Sequence, residues 1–599
     1  MSLLKFLDKR SEDKSLLRFE VPKLNYIISE NIFNSITNYK SYKILEKNLS
    51  QEYLKMYFKK KFYQETTNLA SKVLINRWNF KHDKKNFLGK LSLENTPYFH
   101  ILKKIFENEN FLLINEKKLR ISDLIKSNKW FFYFYFFKIK NSFFRPFKKK
   151  ISKKNEIKIG VNYIEGHDSK YRNDLFWLQK NKIKNHSIVY YCESKEKLKK
   201  FSVDNNELNN FGYNFVKIWK WNNIKKIDFI EKVKKQIDSL NAKDDFEKWL
   251  IREIKIFLIQ VNFWYCFFCD YNIKIHFNSD EYPLSSVIKQ IAINKLEGCS
   301  IGKCRSSPRK IQGDWYGYYP NDIFFTWGND STESIIKSKN YFKNLIISGY
   351  PYQEDKSQFN DILSIEKEFK RRGVQFSLLI IDGSHGKNED SFHQLIPSKV
   401  MTKFINSFLE WILKDQELGI IIKSKKPGLL QMLPDLEKNL NLAKKTGRCK
   451  IFSELGLESK KFSNIVDFSI GISADIPSSV IQIAINGQKS IIYDFSNFKT
   501  LEKELYRWGE NKVIFDNLET LITKLKNFKT YNEKNFGDWT NNIKYYDSFC
   551  DGKGGERIGD YVVDLKFYFD KGHSLNETIL YASANYEKKW GKEMVRKLP

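Results

Sequence analysis

The sequence predicts an α/β protein of two Rossmann-like, doubly wound lobes facing a cleft, with a mostly helical N-terminal extension and a C-terminal helical tail. Three observations carry that expectation. From about residue 150, short Ile- and Val-rich runs bounded by Gly, Pro or Asp alternate with amphipathic stretches, the pattern of parallel strands joined by helices. The alternation starts afresh near Gly328, which makes two units in tandem. Between Val466 and Asp494 the chain reads strand, turn, short helix, turn, strand, with Pro477, Ser478 and Ser479 opening the helix and Gly487 ending it. The expected boundaries are 1–150 for the extension, 151–327 for the first lobe, 328–530 for the second and 531–599 for the tail.

The chain of 599 residues is long enough for about three domains, each with its own core. A formal net charge of +32 invites a nucleic-acid partner. The basic residues are nevertheless spread along the whole chain with no nucleic-acid motif, so none is expected. An anionic substrate or an acidic membrane surface suits the charge better. Seven cysteines at irregular spacing speak against a disulfide framework and for a reducing, cytoplasmic setting. Cys266 and Cys269 form a CxxC inside an apolar aromatic run, which reads as buried thiols rather than a zinc site. The first residues lack the apolar core of a secretory signal, and no run of about 18 uncharged apolar residues marks a membrane span.

The extension ends in Trp130 to Phe137, eight aromatics in succession, followed by a cluster of Lys and Arg to Lys154. Such a segment suits the interface of an acidic bilayer, and it equally suits a buried element followed by a solvated linker. Strands of the first lobe are expected at Ile157–Tyr163, Ser187–Tyr191, Asn214–Trp219, Lys274–Asn278, Gly298–Arg305 and Asn321–Gly328. Gly298 to Cys304 is one residue short of a P-loop and lacks its Ser or Thr, so it is read as a strand. The second lobe is expected to open with Asn344–Ser348 and to continue with Phe376–Ile381, Leu418–Lys423, Val466–Ile472, Lys489–Tyr493 and Val513–Phe515. In the tail, Ser574 and Glu577 form a capping box before an apolar stripe that must pack on another element, the first lobe being the expected one.

Ligands of doubly wound sheets lie beyond the carboxyl ends of the strands. Three such ends in the second lobe carry polar loops: Asp382 to Gly386, Ser424 to Gly428 and Asp475 to Ser479. The Ser-Ser helix start can take a phosphate on its free amides and hydroxyls, although an ordinary capped βαβ unit looks the same. Lys423, Lys425 and Lys426 would offset the phosphate charge, and Asp382 or His385 would face the reacting centre. Solvated lysines and a structural histidine are the plain alternatives. No Asp-x-Asp follows an apolar strand, so neither a metal nor another cofactor is expected, and a nucleotide-activated donor would be a co-substrate.

The order of these motifs resembles the GT-B type glycosyltransferases of bacterial surface-polysaccharide assembly, among them sialyltransferase-like, Kdo-transferase-like and CDP-glycerol glycerophosphotransferase-like enzymes. An acidic-Gly motif, a basic or His-Pro motif and a Ser-Ser motif are matched by Asp382-Gly383, Lys426-Pro427 and Ser478-Ser479, over roughly residues 155 to 599. Lys426 stands where the family's usual His precedes the Pro. The resemblance implies metal-independent transfer of a sugar, or of a polyol phosphate, from a nucleotide carrier to a surface polysaccharide or lipid-linked glycan. Gly383, His385, Lys425, Lys426, Ser478 and Ser479 would then bind the donor. Glu165, Arg172 and Asp174, in the loop after the first strand, would bind the acceptor. The base would be His167, Asp168 or Asp382, and the sequence leaves the three open. A non-catalytic glycan- or lipid-binding protein of the same fold is the rival from another class. The implied setting is cytoplasmic, peripheral on the inner face of a membrane.

Overall fold

The computed structural model describes residues 17, 19–82, 90–94, 96–107, 112–116, 156–162, 183–195, 214–278, 282–306, 319–337, 340–351, 360–383, 385, 396–453, 459–473, 477–496, 503–531, 533 and 535–598. The aromatic and basic segment from Trp130 to Lys154 lies outside them.

The extension is mostly helical. Helices Val21–Ile36, Lys40–Asn48, Gln51–His82 and Phe99–Ile105 accompany a small parallel pair, β1 (Lys90–Glu94) and β2 (Leu112–Glu116). Leu24, Ile28 and Ile32, one helical face of Val21–Ile36, are fully buried in a core shared with the first-lobe helices Asp245–Asp270 and Leu284–Asn294. Tyr53 Oη donates to the buried Asp322 at 3.3 Å, which fixes the extension to the first lobe.

The first sheet contains β3 (Lys158–Asn162), β4 (Ile188–Cys192), β5 (Asn214–Lys217), β6 (Ile273–Phe277), β7 (Cys299–Lys303), β8 (Ile323–Thr326) and β9 (Asn344–Ile347), all parallel. Their order is β9-β8-β7-β6-β3-β4-β5, so the chain winds outward from β3 in one direction and then from β6 in the other. Helices cover both faces, and β4, β7, β8 and β9 are buried at every residue. That double burial explains their unbroken apolar runs. The terminal strand β16 (Val595–Lys597) adds antiparallel to β9 and covers an edge that would otherwise expose its backbone.

The second sheet contains β10 (Phe376–Ile381), β11 (Leu418–Lys423), β12 (Cys449–Phe452), β13 (Phe468–Ser473), β14 (Ser490–Asp494) and β15 (Ile514–Phe515). It is wholly parallel in the order β12-β11-β10-β13-β14-β15, the same doubly wound order. Its switch point, where the winding direction reverses, lies between β10 and β13.

One expectation is corrected. Asn344–Ile347 does not open the second lobe but pairs with β8 in the first, so the first lobe runs past residue 328 to the end of β9. The reason lies in its partners. Asn344 donates from Nδ2 to Ser583 Oγ at 2.8 Å, Tyr586 Oη donates to the Ile347 carbonyl at 2.8 Å, and β16 takes the free edge.

The tail helices Gly554–Asp570 and Leu575–Trp590 pack on the first sheet, with Tyr561, Leu565, Ile579 and Ala582 in one core with Ile159, Ile275 and Ile323. That core continues into the second lobe through Val480 and Ile481 of the helix Ser478–Ile485. The short helix Ile543–Tyr546 and the indole of Trp539, which donates to the Ser490 carbonyl at 2.8 Å, complete the junction. Among the described residues no helix is long and apolar enough to cross a membrane.

Candidate functional site

The second-lobe switch point sets the site. Ile381 is level with Lys423 of β11 on one side and with Gly471 of β13 on the other. Asp382 therefore leaves the sheet between two carboxyl ends at the position where doubly wound sheets hold ligands.

Both carboxylate oxygens of Asp382 accept from protein donors. Its Oδ1 accepts from the Lys425 backbone N–H at 2.6 Å and its Oδ2 from the Ser424 hydroxyl at 2.7 Å. The carboxylate is completely buried, so these two bonds are what make its desolvation tolerable. It fastens the turn after β11 to the end of β10. Lys423 is buried and donates from Nζ to the Ser424 carbonyl at 2.6 Å, whereas Lys425 and Lys426 are exposed. Lys425 thus meets Asp382 through its backbone while its side chain reaches outward.

His385 returns beside Asp382. Its Nε2 lies 3.8 Å from Asp382 Oδ2, too long for a hydrogen bond, and neither ring nitrogen has a hydrogen-bond partner among the described residues. The imidazole is completely buried. Two unused nitrogens on one buried ring at a switch point are rare in structural histidines, since buried polar atoms are nearly always paired.

Gly383 allows the loop to approach. A Cβ there would stand 2.2 Å from Ile396 Cδ1 and 3.4 Å from the Ile472 carbonyl oxygen. An isolated parallel bridge joins His385 to Ile396.

Beyond β13, the helix Ser478–Ile485 starts at the same edge. Pro477 is its N-cap residue, in extended conformation, and makes no side-chain cap hydrogen bond. Ser478 and Ser479 occupy the first two helical positions, half-buried. Gly471 lets the helix lie close: a Cβ would be 2.6 Å from Val480 Cγ2 and 3.3 Å from Pro477 Cγ. The positive end of the helix dipole therefore points toward the carboxyl edge that carries Asp382 and His385.

The structure brings Asp382, Gly383, His385, Lys425, Lys426, Ser478 and Ser479 to one edge of one sheet. Glu165, His167, Asp168, Arg172 and Asp174 lie outside the described residues. The strand that precedes them, β3, borders the first-lobe switch point, between β3 and β6. The donor role of Ser424 was not legible in sequence. A polar residue just after the apolar run Leu418–Lys423 was its only signal. Among the described residues no cluster of His, Cys, Asp and Glu could hold a metal ion, and the seven cysteines are all free thiols.

No protein-family model and no curated protein matches the chain. Solved structures do. The UDP co-structure of S. aureus MnaA aligns at 9% identity and a TM-score of 0.41, over 69% of this chain and 97% of that one. Anabaena Alr3699/HepE, in complex with UDP and glucose, aligns at 8% identity and a TM-score of 0.36, over 72% and 99%. A glycosyltransferase from Rickettsia africae aligns at 10% identity and a TM-score of 0.38, over 73% and 99%.

Proposed function

We propose that this chain is a glycosyltransferase that moves a sugar from a nucleotide-activated donor to a surface polysaccharide or lipid-linked glycan, without a metal ion. The observation that carries the reading is the convergence at the second-lobe switch point. A buried Asp382 and His385 and the Pro477-opened start of the helix Ser478–Ile485 share one carboxyl edge. An acceptor hydroxyl oxygen bonds to the anomeric carbon as the bond from that carbon to the donor phosphate breaks. The electron pair leaves with the phosphate, whose charge is taken by the helix N-terminus and by Lys425 and Lys426. The acceptor proton passes to a base, drawn from His167 and Asp168 of the first lobe and the Asp382–His385 pair of the second. The lipid-linked acceptor is inferred from the aromatic and basic composition of Trp130 to Lys154.

Thermal unfolding of the full chain with CMP, CDP, UDP, GDP and their sugar adducts tests the reading. A bound nucleotide at about 100 times its dissociation constant adds roughly 2.7 kcal/mol and raises Tm visibly. The double variant Ser478→Ala with Ser479→Ala should weaken that nucleotide by about tenfold, the loss of one or two charge-assisted hydrogen bonds. A chain that no nucleotide stabilises is not this enzyme.

A further inference from the structure

At its own switch point the first lobe has buried polar groups without partners among the described residues. Register places Asn162 of β3 level with Tyr191 of β4, and Val161 level with Phe277 of β6. One step on, Asn162 and Asn278 are therefore neighbours across the β3–β6 gap, and the Asn278 N–H extends the ladder by donating to the Ile301 carbonyl at 2.7 Å. Asn162 is 3% exposed and Asn278 1%. Even so, Oδ1 of Asn162 and both Oδ1 and Nδ2 of Asn278 have no hydrogen-bond partner among the described residues. Three orphaned amide atoms in two adjacent side chains are costly to bury, and native interiors rarely keep them without a use.

The surroundings define what would fit. Lys289 forms an ion pair with Glu193 and lies 4.6 Å over the ring of Trp264 and 5.5 Å over that of Tyr191. His276 Nε2 shares a 2.7 Å hydrogen bond with the Tyr191 hydroxyl, while its Nδ1 is also unpartnered. Burial, with the Lys289 charge behind it, holds His276 neutral. The charges beside the row cancel, so an ionic ligand would lose its hydration without a counter-charge. A hydroxyl, which both donates and accepts, matches paired amides.

We propose that Asn162 and Asn278 form a subsite for a neutral, hydroxyl-bearing sugar unit. The proposal rests on the transfer reading for the ligand's class: a second lobe that takes the charged donor leaves the first to hold the acceptor glycan. It assigns two residues that no sequence motif singled out.

The full chain would be titrated by calorimetry with methyl β-glucoside, methyl β-galactoside and methyl N-acetyl-β-glucosaminide, and in parallel with UDP and CDP. Asn162→Leu and Asn278→Leu keep the side-chain shape and remove the amides. We expect at least one glycoside to bind the unaltered chain and to lose tenfold or more in affinity in each variant, with nucleotide affinity unchanged. The ligand-free variants should melt at higher temperature, because an orphaned polar group has gone. Asn278→Ser, smaller and still polar, should show the same loss if a leucine variant fails to fold. The subsite is overturned if no glycoside binds the unaltered chain, or if the variants bind it equally well. Glycoside binding without any nucleotide binding would instead sink the transfer reading.

Discussion

Asp382 and Ser424 are joined by a 2.7 Å hydrogen bond between the carboxyl ends of β10 and β11, inside a carboxylate that water does not reach. The bond does two things at once. It satisfies a buried charge, and it sets the spacing of two strand ends whose loops form the candidate site.

Ser424→Ala should therefore destabilise the second lobe by about 1–3 kcal/mol, since it leaves one oxygen of a buried carboxylate without its donor. Urea unfolding of the full chain measures it. A change under about 0.5 kcal/mol, the size expected of an inert surface position, would mean that Asp382 has another partner.

Gly383→Ala should cost about 1–3 kcal/mol, because its new methyl would stand 2.2 Å from Ile396 Cδ1. Ile396→Val removes that Cδ1 and should recover part of the loss. The double variant is then more stable than the sum of the singles predicts, and a strictly additive pair would show that the clash is relieved elsewhere.

His276 makes stability pH-dependent. Burial, and then the Lys289 charge, lower its folded pKa well below the ordinary value, so the folded chain keeps the ring neutral. The unfolded chain binds a proton below about pH 6.5, the usual histidine value. The stability of this neutral form is complete above that pH and falls as the solution is acidified, by up to about 1.4 kcal/mol per pH unit. The denaturation slope between pH 6.5 and 5 should flatten by one proton in His276→Leu. An unchanged slope would show that the ring is charged in the folded state.

Removal of residues 592–599 should expose the edge of β9 and strip Val595 from the core. The shortened chain should be less stable and prone to association through the uncovered strand, read by light scattering on warming. Equal stability and a clean monomer would mean that β16 adds nothing to the sheet.

Much of the fold was legible because it depends on short-range pattern. Runs such as Phe376–Ile381 and Leu418–Lys423 are buried on both faces, and uniform burial writes itself into composition. The carboxyl-end loops were legible for the same reason: polar residues that follow an apolar strand have left the sheet. Asn344–Ile347 was misplaced because four residues of a buried strand carry no mark of which sheet they join. Ser583, Tyr586 and β16, all far along the chain, settle that choice.

The sequence by itself determined the two lobes, the alternation within them and the edge on which the candidate residues gather. Tertiary structure alone decided that Asp382 serves as a buried clamp, that the His385 ring nitrogens stay unused, and that Asn162 and Asn278 lie side by side. Local periodicity follows from each residue's own surroundings, solvent or core, and so is recorded residue by residue. Hydrogen-bond partnership and strand neighbourhood depend on pairs brought together only when distant segments pack.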